Sequence, residues 1–221
     1  LIFSGVFIFV CIFKLIPLTL FNKNKNLEGE IISEILKLVS PIPVSINHYL
    51  KPRAFISKGK AMVTMYETAE AKKYKKEFSK YVKEQVKLQN WSLLPNKTQH
   101  FFIDCVFYFE RLDQDPNNYF KLPLDSITDT QLIWLDDNVT LERVQGIFYD
   151  SKNPRIEMIV SLVDYIGIFP TQEQLDNFKT NCIQCKRYKR NCSILNKAIE
   201  GRIQEEIQNL VCGKFKIKNC K

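Results

Sequence analysis

The chain has 221 residues, 45% apolar and 25% charged, with a net charge of +8, which describes a folded globular protein and excludes a mainly disordered one. Only 7 Gly and 2 His occur, and no G-x-x-x-x-G-K-S/T, G-x-G-x-x-G or H-E-x-x-H is present. Nucleotide-triphosphate, dinucleotide and zinc-protease chemistry therefore lack their basic parts, and no small-molecule cofactor is expected.

Residues 1–21 contain 16 apolar side chains, enough for a membrane span. Against a span, Lys14 falls inside the run, Pro17 follows it, and no basic region precedes it. The segment 1–26 reads as translation of A/T-rich DNA past the true start, or else as an anchor. No membrane partner is expected for the remainder.

Residues 36–46 read as an extended segment whose prolines restrict it to an edge or a bend. A basic loop is expected next, with Lys51, Arg53, Lys58 and Lys60. Thr68 suits the N-cap of a long helix over about 69–89, with Ala71, Tyr74, Phe78 and Val82 on its apolar side. Lys72, Lys76, Lys80, Lys83 and Lys87 make one basic stripe, which is either a solvated face or one that tracks phosphates.

Residues 100–110 are aromatic and β-branched throughout and predict the clearest strand. A turn at Asp113–Asn118 leads to a short helix over Tyr119 to Ile127, bent at Pro123. Strands are expected at 139–149 and 155–163, so the order is mixed α/β. After about Tyr165 the composition changes. Thr171 caps a short helix, a cysteine-rich turn follows, and Ser193 caps a second helix over about 194–210. The expected division is therefore 36–165 for the main domain and 170–221 for a basic, helical, cysteine-rich module.

Charge is divided along the chain. Residues 22–103 hold a net +8, residues 104–150 a net −7, and residues 170–221 a net +6. An acidic centre between basic flanks suits cations held among carboxylates, with a polyanion on either side. Two acidic spots stand out, Asp115-Pro116-Asn117-Asn118-Tyr119-Phe120-Lys121 and Trp134-Leu135-Asp136-Asp137. Converging carboxylates repel one another unless a hard cation neutralises them, and Mg²⁺ is the natural candidate. A turn-rich acidic surface is the plainer alternative.

These strings, with Pro43-Val44-Ser45-Ile46-Asn47 upstream and Asp125-Ser126-Ile127 between them, resemble the RusA family of Holliday-junction resolvases. Four linked motifs agree in order and spacing across about residues 36–162. The resemblance implies a homodimeric, Mg²⁺-dependent endonuclease that nicks opposed strands of four-way junction DNA. It matches Asp115 to the first metal-binding aspartate, Asp137 to the last with Asp136 beside it, and Lys121 to the catalytic lysine. Asn117 falls where the family usually has a second aspartate. A register shifted onto Asp113 and Asp115 restores the pair of carboxylates but loses the Asn-x-x-Lys spacing, which leaves Asp113 as a reserve ligand. Asn118 and Asp125 are expected to hold the turn and cap.

The seven cysteines are an odd number with no clean export signal, which argues for a reducing, cytoplasmic compartment. Cys182, Cys185, Cys192 and Cys212 suit a tetrahedral Zn²⁺. An iron–sulfur cluster uses the same ligands, and free thiols are the remaining reading. Lys186, Arg187, Lys189 and Arg190 lie between these cysteines and, with Lys51, Arg53, Lys72, Lys76 and Lys80, are the expected DNA contacts.

Overall fold

A computed structural model of the chain describes residues 34–218, together with two short strands, β1 (Asn24–Lys25) and β2 (Ile31–Ile32). These two strands pair antiparallel within a separate unit, residues 1–32. The apolar run 1–21, Cys11 and Cys220 lie outside the described residues. The second unit begins at Ser33.

In that unit β3 (Ile35–Pro41) buries Leu36, Leu38 and Ser40 and leaves the alternate residues partly exposed, the period of a half-covered strand. It takes a sheet edge, in keeping with Pro41 at its end and Pro43 just beyond. The strand predicted most clearly, β6 (Phe101–Phe109), is interior. β8 (Arg155–Leu162) pairs antiparallel with both β3 and β6, while β7 (Thr140–Tyr149) pairs parallel with β6. The order is β3-β8-β6-β7, a mixed sheet.

The long helix α1 (Ala69–Leu88) forms as its capping and periodicity predict. Thr68 accepts the Ala71 N–H, and Ala71, Tyr74, Phe78 and Val82 are buried. Asn90 stops the helix in a left-handed conformation, with Asn90 N–H bonded to Lys87 O and Trp91 N–H to Val86 O. The shorter α2 (Lys121–Thr128) joins β6 to β7. Pro123 lies in its first turn, where an amide N–H has no helical partner anyway, so the expected bend is replaced by a regular helix. Both helices pack over a core that includes Phe101, Ile103, Phe107, Phe109, Ile156, Met158 and Trp134.

Residues 51–60 are not a loop. β4 (Leu50–Ser57) and β5 (Lys60–Glu67) form an antiparallel hairpin closed at Lys58 and Gly59, both at positive φ. Two left-handed residues match the twist of a tight hairpin, whereas Lys58 lacks the usual Asn or Asp signature. The pairing sorts side chains by face. Lys51, Arg53, Phe55, Met62 and Tyr66 share one face, while Pro52, Ala54, Ile56, Ala61, Val63 and Met65 share the other. All of them are exposed, Ile56 at 79% and Val63 at 69%.

The C-terminal part contains α3 (Gln172–Gln184), α4 (Ile194–Ile199), β9 (Ile207–Gln208) and β10 (Val211–Cys212). Thr171 caps α3 through the Gln174 N–H, as expected. The second helix is much shorter than 194–210, and Ser193 makes no side-chain cap bond. Gly201 ends it at φ +80°, with Gly201 N–H bonded to Ala198 O and Arg202 N–H to Lys197 O. Gly167 lies against this end, since a Cβ there would overlap Ala198 O. Phe169, Leu175, Phe178 and Ala198 form a second, smaller core. Among the described residues no helix is long and apolar enough to cross a membrane.

Candidate active site

Two capped turns flank α2. After β6 the chain forms a 3-10 turn at Pro116–Asn118, which Asp115 caps by accepting the Asn117 N–H at 3.0 Å. Before β7, Asp136 caps the turn Asp137–Val139 through the Asn138 N–H at 3.2 Å. Short acidic side chains do this readily because their oxygens reach backbone N–H groups two residues on. Fully buried Trp134 anchors the second turn, donating its indole N–H to Thr128 Oγ1 on α2 at 2.7 Å.

Lys121, the first residue of α2, joins the two motifs. Its ammonium lies 2.7 Å from Asp125 Oδ1 and 3.0 Å from Asp137 Oδ2. The Asp125 hydrogen bond, opposed by burial and aided by Asp137, raises the Lys121 pKa above the ordinary lysine range. A cation at a helix N-terminus opposes the helix dipole, and two carboxylates offset that cost. Lys121 thus carries its positive charge between two carboxylates. Sequence reasoning assigned Asp125 to capping, but the structure makes it the nearest partner of Lys121. The spacing of four on a helix is the signal that could have found it.

Asn118 holds the first turn, as expected, and its carbonyl accepts the Ile46 N–H at 2.8 Å. The Pro43–Asn47 motif is thereby tied to the acidic turn. Asp113 is ion-paired with Arg111 at 3.1 Å on the exposed strand exit. Asp115, Asn117 and Asp136 are exposed, while Lys121, Asp125 and Asp137 are half-buried. Among the described residues no three His, Cys, Asp or Glu side chains are already gathered around a metal position.

The expected DNA contacts fall on three elements. Lys51 and Arg53 share the aromatic face of the β4–β5 hairpin. Lys72, Lys76 and Lys80 are exposed on α1, and Lys80 lies 4.0 Å from Glu84. Lys75, between them, serves another purpose. Burial acts against its ammonium, but Glu67 and Asp129 outweigh that and raise its pKa, tying the hairpin and the end of α2 to α1. Lys186, Lys189 and Arg190 are exposed after α3, and half-buried Arg187 lines a cavity with the four cysteines. Burial and the nearby Cys212, Cys192 and Cys185 push the Cys182 thiol up to about 11.

Fold and site together define a mixed α/β domain with a lysine–carboxylate centre between two acidic turns. Residues 43–161, more than half of the chain, match the sequence model described as endodeoxyribonuclease RusA. The chain belongs to that family, whose nucleases resolve Holliday junctions. No curated protein matches the chain.

Proposed function

We propose that the chain is a Mg²⁺-dependent endonuclease that resolves four-way junction DNA by paired nicks, acting as a homodimer. The observation that carries this reading is the placement of Lys121 between Asp125 and Asp137, which joins the two acidic motifs at one point. The two motifs offer carboxylate and amide oxygens, the set a hard cation takes. Asp115, Asn117 and Asp137, with Asp136 adjacent, would hold Mg²⁺, which when bound neutralises charge at the scissile phosphate and acidifies a water. Lys121 holds a positive charge for the phosphate oxygens, and Asp125 keeps its ammonium in place. Asn117 supplies a neutral amide in place of a carboxylate, so the site holds less negative charge than the family pattern does.

Support for the dimer comes from the β4–β5 hairpin. On one face Pro52, Ala54, Ile56, Ala61, Val63 and Met65 form an apolar, exposed patch that ends at Glu67, and a second copy is its proposed cover. Two-fold symmetry of the protein then matches that of the junction. The opposite face offers Lys51 and Arg53 beside Phe55 and Tyr66, a basic and aromatic surface for nucleic acid. The test is incubation of the protein with a synthetic four-way junction, with and without Mg²⁺. Symmetric nicks that need Mg²⁺ support the proposal. Tight binding with no nicks at any Mg²⁺ concentration favours a non-catalytic junction-binding role.

A further inference from the structure

Outside the family span, four thiols from three chain segments line a single cavity of about 530 Å³. Cys182 sits in the last turn of α3, Cys185 caps its end, Cys192 precedes α4, and Cys212 ends β10. Backbone turns hold two of these segments. Cys185 N–H bonds to Cys182 O at 3.0 Å, and Phe215 N–H bonds to Cys212 O at 3.1 Å. The Cys185 sulfur in turn accepts the Lys216 N–H at 3.5 Å. Such outer contacts orient a sulfur that binds metal.

The energetics of this part call for a staple. Its buried core is Phe169, Leu175, Phe178 and Ala198, and its two strands have two residues each. A core this small gives little folding free energy of its own. Among the described residues the sulfurs are not drawn together at ligating distance, but all four cysteines line the one hollow.

We infer that Cys182, Cys185, Cys192 and Cys212 are the four ligands of one tetrahedral structural Zn²⁺ site that ties α3, α4 and β10 together. Four soft sulfur donors select zinc over the hard cations, and a closed set of four leaves no open position for catalysis. Each ligand gives up its thiol proton to solvent on binding. The basic residues 186–190 lie between the second and third ligands, so the metal also fixes that stretch.

The test uses the full chain purified under reducing conditions, with metal counted by mass spectrometry. About one Zn²⁺ per chain is expected. Exchange with Co²⁺ should give tetrahedral d–d bands and sulfur-to-metal charge transfer of a four-thiolate site. Chelation should lower the Tm, and added Zn²⁺ should restore it. Cys185→Ser and Cys212→Ser should each lose the metal, whereas Cys105→Ala, in the buried centre of β6, should keep it. If the serine variants are insoluble, the chelated and reloaded wild-type chain decides. Metal-free protein that gives no Co²⁺ spectrum on reconstitution overturns the site. Iron with acid-labile sulfide overturns the zinc assignment.

Discussion

Ile46 donates its backbone N–H to the carbonyl oxygen of Asn118 at 2.8 Å, across more than seventy residues of chain. The bond joins the Pro43–Asn47 turn to the turn that presents Asp115 and leads into Lys121. Two motifs far apart in sequence therefore brace one acidic turn. Backbone hydrogen bonds hold such turns more stiffly than flexible side chains do, and a site for phosphoryl chemistry depends on position.

Catalysis gives the first prediction. Asp137→Asn should lower the nicking rate on the order of 10²-fold or more while junction binding stays equal or tightens. Lys121→Ala should slow nicking with a smaller effect on binding, if its charge serves the developing charge on phosphate as proposed. Single-turnover cleavage, read beside a mobility-shift titration, separates the two effects. Wild-type cleavage by Asp137→Asn would falsify its assignment as a ligand.

Asn117 gives the second. Restoring a carboxylate with Asn117→Asp should lower the Mg²⁺ concentration at half-maximal nicking, because an added negative charge favours a divalent cation. A Mg²⁺ titration of the nicking rate checks this. An unchanged midpoint would place residue 117 outside the metal shell and turn attention to Asp113.

The hairpin gives the third. Val63→Asp places a charge at the centre of the apolar β4–β5 face, where burial against a second copy leaves it unpaired. Sedimentation at micromolar concentration should shift from dimer to monomer, with circular dichroism unchanged. A variant that remains dimeric locates the two-fold interface elsewhere.

The basic stretch after α3 gives the fourth. Replacing exposed Lys186, Lys189 and Arg190 with Gln should weaken junction binding and flatten its salt dependence, by about 0.9 in the log–log slope per lost phosphate contact. Titrations between low and moderate salt measure the slope directly. An unaltered slope assigns the tail to a purely structural role.

Local pattern accounts for what was legible in the chain. Ala71, Tyr74, Phe78 and Val82 recur at helical spacing beside a capping Thr68, so α1 could be placed within a residue at either end. β6 announces itself by its aromatic run, and the linked motifs from Pro43 to Asp137 carry the family. In each case the interacting residues lie close along the chain, or the residue types are themselves the signal.

The rest depended on pairings through space. Nothing in Lys51–Lys60 marks a hairpin, because β4 and β5 exist by virtue of each other and of two left-handed residues at their tip. The length of α4 was set by the C-terminal bonds at Gly201 against a propensity that runs on further. Asp125 stands four residues from Lys121 on one helix, a spacing present in the chain, whereas Asp137 reaches the same ammonium only through the fold. Four cysteines spread over thirty residues share one cavity for a similar reason, since α3, α4 and β10 must first pack together. Sequence period reports which face a side chain takes, whereas the meeting of two faces is decided by the packing free energy of the whole unit.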